Sequence, residues 1–313
     1  MTRRTGTPGA LLALLAELID YAGLFPPAAL GLEEAVDVYA RHRLSPDAWM
    51  VGRFVVPCTR LGEFEQAVGA LSPEQRGAQA WRLAVLAATP LTGEVAAVTA
   101  FNQRHAGGAA YAAHIDALEV KPSSSADTRR VAAMVPDYIE LFFECTLDDS
   151  LDESLVAIRN VGRAAKIRTG GVTPEAIPDS GAVARFISRC AVLGVPFKAT
   201  AGLHHAVRSR HPLTYGPAAP VEVMHGFLNV FMASVLAYDG RHDIRDLSAV
   251  LEEMRPDAFG FSNAGITWRD QAASVTQVER ARHFARRFGS CSIREPLADL
   301  EAVGWLGPHS TRE

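Results

Sequence analysis

Two lysines stand out for the chemistry their surroundings allow. Each lies partway along a short run that ends in small residues, Lys166-Ile-Arg-Thr-Gly-Gly171 and Phe197-Lys-Ala-Thr-Ala-Gly-Leu-His-His205. An amine is a nucleophile only when uncharged, and the positive field of a second ammonium close by favours the neutral form. Such an amine attacks a carbonyl to form a Schiff base, while a glutamate or water moves the protons. The helix-length residues 181–193 separate the two runs, and strand–helix–strand order argues for neighbouring parallel strands. Strand alternation sends Lys166, Arg168, Lys198 and Thr200 to one face, with Ile167 and Phe197 on the other. Lysines aimed at an interior are expensive to desolvate, which makes this the region where chemistry is expected.

The elements that must position these residues alternate from Val51 onward. Apolar runs at 52–57, 81–87, 115–121 and 138–144 read as strands; residues 61–71, 92–105, 127–135 and 151–161 read as the helices between them. The two lysine runs supply a fifth and a sixth strand. Beyond them the period blurs. A histidine-bearing loop spans 204–220, an apolar stretch covers 221–238, and a helix is expected at 246–254. A last strand is expected at 258–262, followed by a basic helix at 271–288. This pattern predicts a TIM (β/α)8-type barrel over residues 51–313, with 289–313 as its tail. Residues 1–50 are expected to form an N-terminal helical extension, with helices near 10–21 and 32–42. An open doubly wound sheet is the competing fold, but no G-x-G-x-x-G follows the first strand.

Alternation also fills the barrel. Glu119 and Lys121 on the third strand counted from Val51, and Glu140 and Glu144 on the fourth, are expected to face inward with the lysines. Ordinary barrels fill this space with Val, Ile and Leu. An unpaired buried charge costs several kcal/mol, roughly, so the glutamates should neutralise the cations. An internal ion network without chemistry is the competing reading. Against it, active sites of this fold sit at the carboxyl ends of the strands, where these residues cluster.

Lys166-Ile-Arg-Thr-Gly170 followed by Lys198-Ala-Thr-Ala-Gly202 resembles the paired-lysine signature of class I aldolases, most closely the deoxyribose-phosphate aldolase type. That family carries its Schiff-base lysine in K-x-S-T-G and a tuning lysine in K-x-x-G-G. The resemblance covers about forty residues; Arg168 stands in place of the serine and Ala201 in place of the first glycine. It implies that Lys166 is the nucleophile and Lys198 its partner, with Glu119 as counterpart of the family's acidic residue. Glu144 is the other candidate for moving protons.

Other residues suggest further roles. Arg168 is a rigid five-donor fork suited to a carboxylate or phosphate. Lys121, Glu140, Thr200, His204 and His205 are expected to contact substrate, and Ser262-Asn263-Ala-Gly265 to offer backbone N–H groups to an anion. Glu144, His204 and His205 form an alternative set of divalent-metal ligands, although no H-x-H or H-E-x-x-H pattern accompanies them. Residues 21–27 are expected to cover either the barrel mouth or its base. Cys145 reads as a buried filler rather than a nucleophile.

Composition narrows the function classes. The 313 residues are 48% hydrophobic with a formal net charge of −4, and basic residues are dispersed, which argues against nucleic-acid binding. Four widely spaced cysteines without C-x-x-C suit reduced thiols, and no run is long enough to span a membrane, so a cytoplasmic protein is expected. The apolar 221–238 stretch and the N-terminal helices are the candidates for a homodimer face. Three readings follow: a Schiff-base lyase, with Lys166 or Lys198 as nucleophile, acting on a small anionic carbonyl compound without cofactor; a divalent-metal lyase or hydrolase; and a non-catalytic barrel that binds a small anion.

Overall fold

The computed structural model describes Arg4, residues 6–106 and residues 110–307. Eight parallel strands close into a barrel of the TIM type. In chain order they are β1 (Ile19–Tyr21), β2 (Val51–Pro57), β3 (Trp81–Ala87), β4 (Ala113–Val120), β5 (Glu140–Glu144), β6 (Ala164–Arg168), β7 (Phe197–Thr200) and β8 (Ala285–Ser290). Each pairs with its chain neighbour, and β1 closes the ring against β8, with Ile19 opposite Phe288 and Tyr21 opposite Ser290.

The division at residue 50 is corrected by this closure. The residues described before Val51 form helices as expected but are not a mere extension, because they also contribute β1 to the barrel wall. The first helix stops at Leu15, and Glu17 takes a left-handed conformation (φ 48°) that turns the chain into the strand. The leader is also bound to the barrel by an aromatic cluster. Tyr39, on the helix Leu32–Leu44, packs on Phe54 of β2 with ring centroids 5.4 Å apart, and Phe64 meets Trp81 of β3 at 5.7 Å. The Tyr39 hydroxyl donates to the Gly52 carbonyl at 2.7 Å.

The final strand also differs from expectation. Phe259–Phe261 pairs antiparallel with Gly265–Trp268, which pairs with Gln271–Ser274, and this three-stranded sheet lies outside the barrel. The basic stretch is a helix only over Val275–Phe284, started by a capping box between Ser274 and Gln277. Residues 285–290 are β8. Within the loop after β7, Ser209–Pro212 and Val221–Met224 form a hairpin, and Arg294–Ala302 is a helix after β8. The apolar stretch is the helix Phe227–Tyr238, buried at every residue from Phe227 to Ala237. Its hydrophobicity is satisfied within the chain, so it is not an exposed dimer face. No described helix is long and apolar enough to cross a membrane.

Inside the barrel the side chains are layered. Val55, Ala84, Ala117, Phe142 and Ala164 form an apolar cluster across β2–β6. At the strand starts lies an ionic floor, where Arg53 pairs with Asp116 at 2.5 Å and with Glu140 at 2.7 Å. At the strand ends lie the lysines.

β1 passes close to β2 only because position 52 lacks a side chain. A Cβ on Gly52 would stand 2.4 Å from Asp20 Oδ1 and 2.8 Å from Arg287 Nη1. Gly52→Ala should therefore destabilise the protein by about 1–3 kcal/mol, the usual range for overpacking, as read from its denaturant midpoint.

Candidate active site

Glu119 of β4, Lys166 of β6 and Lys198 of β7 meet in one ion network near the carboxyl ends of the strands. The Lys166 ammonium lies 2.7 Å from Glu119 Oε2 and 3.0 Å from Glu144 Oε2. The Lys198 ammonium lies 2.6 Å from Glu119 Oε1 and 2.6 Å from Asp20 Oδ2. One carboxylate thus bridges two ammonium groups, each of which has a second carboxylate of its own. The register explains the convergence, since Lys166 is the direct neighbour of Lys198 across β6–β7 and of Glu144 across β5–β6.

Burial and charge fix the protonation of Glu119, Asp20 and Lys198. Burial would push the Glu119 carboxyl up, but the two lysines hold it at about 2. Asp20, fully buried, is likewise raised by desolvation but held at about 2 by Lys198, Arg287 and Arg53. Burial would push the Lys198 ammonium down, yet the charges of Asp20 and Glu119 outweigh it and its pKa is raised. Lys198 is therefore a locked cation.

A cavity of about 190 Å³ opens over these groups. Lys166, Lys198, Glu119, Arg168, Thr200 and His204 line its polar side; Phe25, Pro26, Val55, Leu86 and Val172 are among the apolar residues opposite. The 21–27 segment therefore covers the mouth rather than the base. Arg168 has no ion pair among the described residues, so its guanidinium is available to an anion. Where β6 and β7 end, the backbones touch: a Cβ on Gly170 would lie 2.8 Å from the Gly202 Cα. Thr169 Oγ1 donates to the Ala201 carbonyl at 2.7 Å, and Ala201 is held at φ 61°, a conformation glycine adopts more freely.

Several expected site residues lie elsewhere. Glu140 faces the interior, but at the start of β5, where it pairs with Arg53 and Arg286 in the floor. Alternation gives the face of a strand and not the end. Lys121 follows the last residue of β4 and is exposed to solvent. Ser262 and Asn263 do not line the cavity. The Ser262 hydroxyl already accepts from the Ala264 and Gly265 N–H groups, and Asn263 Oδ1 accepts from Gly9 N at 2.8 Å. His205 pairs with Asp299 at 3.0 Å and stacks on His211, outside the cavity lining.

The alternative metal set is not assembled. Glu144 pairs with Lys166, His204 with Glu295 and His205 with Asp299; among the described residues no three His, Cys, Asp or Glu side chains are arranged to hold a metal ion. Cys145 is buried, and desolvation pushes its thiol up to about 12, which leaves it unreactive.

Three residues that complete the site were not anticipated. Asp20 sits in a strand of three residues, too short for alternation to show. Glu295 reaches His204 from the helix after β8, with its Oε2 3.1 Å from His204 Nδ1. Cys291 Sγ lies 3.8 Å from the same nitrogen. Acids at residues 295 and 299 facing neighbouring histidines are a four-residue helical spacing, the one signal present beforehand.

The chain matches no protein-family model and no curated protein. Among solved structures it is similar to a lysine/ornithine decarboxylase from Vibrio vulnificus, crystallised with cadaverine, at 12% identity and a TM-score of 0.35. That similarity covers 61% of this chain and 48% of the decarboxylase chain, so this chain spans about half of its length.

The charge pairing has consequences for stability. Asp20→Asn leaves the buried Lys198 with one counter-charge, and should cost about 3–5 kcal/mol in denaturant unfolding, as for broken buried pairs. His204 gives a separate pH signature. Burial pushes its imidazole down, but hydrogen bonds to Cys291 and Glu295 raise it from 6.5 to about 9. Stability from that pairing should be complete below pH 6.5 and fall as pH rises through about 9. His204→Gln should remove that part of the wild-type pH dependence of thermal unfolding.

Proposed function

We propose that this chain is a lyase of the class I aldolase type, making or breaking a carbon–carbon bond beside a carbonyl through a Schiff base on Lys166. The observation that carries the reading is the buried Lys166–Glu119–Lys198 bridge on the wall of a cavity at the carboxyl ends of the strands. Such placement is where active sites of this fold are found.

The two lysines divide the work. Lys198 is enclosed by Asp20 and Glu119 and stays an ammonium, so its fixed charge serves electrostatically. Lys166 is the nucleophile. It passes a proton to Glu144, and its Nζ lone pair then forms a C–N bond as the carbonyl π pair moves to oxygen. That oxygen takes up protons and leaves as water, giving an iminium. In the cleavage direction Glu144, a carboxylate again once it has given its proton to the departing oxygen, accepts the proton of the β-hydroxyl, and the Cα–Cβ pair moves toward the iminium nitrogen. One carbonyl product departs, leaving an enamine. Protonation at the enamine carbon and addition of water return the amine and the second carbonyl product.

The cavity supports a class of substrate. Its volume of about 190 Å³ lies below the roughly 300–1,000 Å³ of drug-sized pockets. Arg168 offers a charged fork to a carboxylate or phosphate, while Phe25, Val55 and Leu86 offer an apolar wall. A short anionic carbonyl compound with an apolar end fits both.

The test is intact-protein mass after borohydride reduction in the presence of small aldehydes, ketones and 2-keto acids. Wild type should gain the mass of one reduced adduct. Lys166→Ala should gain none, and Lys198→Met should still react, more slowly. A folded wild type that traps no carbonyl in the panel rules the Schiff base out.

A further inference from the structure

The Schiff-base route needs a group that gives a proton to carbon, and the groups around Lys166 are poorly suited to it. Asp20 and Glu119 are far too acidic to hold a proton at neutral pH. The Lys198 ammonium is engaged by both of them, and the Arg168 guanidinium does not deprotonate in proteins. Glu144 is paired with the nucleophile itself. Two further ionisable side chains line the cavity, His204 and Cys291; the Cys291 thiol lies 3.8 Å from His204 Nδ1 and 3.8 Å from the Tyr215 hydroxyl, whereas the imidazole has a second nitrogen to offer.

Local backbone geometry brings it there. After β7 the chain takes two successive left-handed conformations, Ala201 at φ 61° and Gly202 at φ 76°, and these turn it back over the barrel mouth. The His204 side chain is only 7% exposed and lines the cavity with Lys166 and Lys198. Its ring is oriented by Glu295, whose Oε2 lies 3.1 Å from Nδ1. Nδ1 therefore carries a proton toward the carboxylate. Nε2 makes no hydrogen bond among the described residues, and it is not among the sealed, unpartnered buried atoms. That nitrogen is left facing accessible space.

We propose that His204, oriented by Glu295, is the acid–base residue that moves the proton on the carbon next to the iminium. This inference rests on the Schiff-base reading. In the cleavage direction Nε2–H gives its proton to the enamine carbon, and the imidazole becomes neutral as the iminium forms. In reverse, neutral Nε2 takes that proton and the iminium becomes the enamine. The paired Glu295 carboxylate compensates the imidazolium charge in both directions. Glu295 does not touch substrate and is a positioning residue.

The charged surroundings accord with this role. Cys291 and Glu295 come from the segment after β8, and Tyr215 from the hairpin turn approaches both. His205 and His211 lie alongside with Asp299, and the lysines line the same cavity as His204. The hydrogen bonds to Cys291 and Glu295 raise the imidazole to about 9 against the effect of burial, so it is a proton donor at neutral pH. A histidine in this role is worth about 10²–10⁴-fold in rate.

The experiment uses pyruvate, acetone and acetaldehyde as probes, in D₂O, with two readouts on the same samples. Borohydride adduct mass reports the Schiff base, and proton NMR reports deuterium uptake at the α-carbon between pH 5 and 10. Wild type should form the adduct and exchange its α-protons, at a rate that rises with pH and levels near pH 9 as the imidazolium is lost. His204→Gln should still form the adduct but exchange about 10²–10⁴-fold more slowly. Glu295→Gln should keep exchanging, with the rise displaced to lower pH. Full exchange by a His204→Gln variant that still forms the adduct overturns the assignment. An unmoved profile in Glu295→Gln overturns the positioning role, and this variant also decides the matter should His204→Gln not fold. No adduct in wild type removes the Schiff base and this inference with it, an outcome distinct from adduct without dependence on His204.

Discussion

The structure turns on neutralising one ammonium group. Lys198 is 1% exposed inside a barrel that would ordinarily be filled by aliphatic side chains. An isolated charge there is not tolerable, and a single carboxylate would leave the remaining N–H donors poorly satisfied. Two carboxylates meet it, from strands separated by nearly a hundred residues of sequence. Asp20 also accepts from the Arg53 backbone N–H at 2.9 Å, and a side chain at position 52 would stand in the space Asp20 occupies. Glu119, spanning both lysines, binds the first requirement to the second. Fold closure and site assembly are the same event.

This arrangement also sets the composition of the rest of the interior. The floor repeats the pattern with guanidinium groups in place of ammonium. Arg53 reaches Asp116 and Glu140, Arg82 reaches Asp116 and Glu17, and Arg287 reaches Glu17 and approaches Asp20 at 3.9 Å. Between floor and site lies the apolar layer around Phe142, over which Lys198 also sits at 5.4 Å from the ring centroid. The layer holds the two ionic tiers apart except at Asp20, which faces cations of both. A buried ion network is weak support for stability compared with well-packed apolar residues. Its persistence through this interior fits a scaffold built around charge placement.

Much of this was legible in the sequence where elements are long and alternate cleanly. The six strands from β2 to β7 emerged from apolar runs of ordinary length, and the pairing of Lys166, Lys198, Glu119 and Glu144 emerged from the period of two. Where reading failed, the signal was too short or was masked. Ile19–Tyr21 continues the helical spacing of the leucines before it, and Ala285–Ser290 follows a basic helix without a glycine or proline between them. Phe259–Phe261 has strand composition but belongs to a surface sheet. Glu140 shows a different limit, since the period fixes which face a side chain takes and is silent about depth. The His204–Glu295 contact joins residues ninety-one apart, and its one local trace was the four-residue spacing of Glu295 and Asp299.

Closure between β1 and β8 has a temporal side. During synthesis the chain emerges from its amino end, and domains of this kind fold as units. Asp20 is among the first residues to appear, yet β8, which flanks it, is among the last strands, and Glu295 follows later still. Until residues beyond 290 are available, the ring has an open seam between β1 and β7. The counter-ions of both lysines, Asp20, Glu119 and Glu144, are already present at that stage, but β1 and β7 each offer a strand edge that can pair with other chains. The cavity over the lysines is lined in part by Gly289 and Cys291, so its wall is complete only once the last strand of the ring has been added.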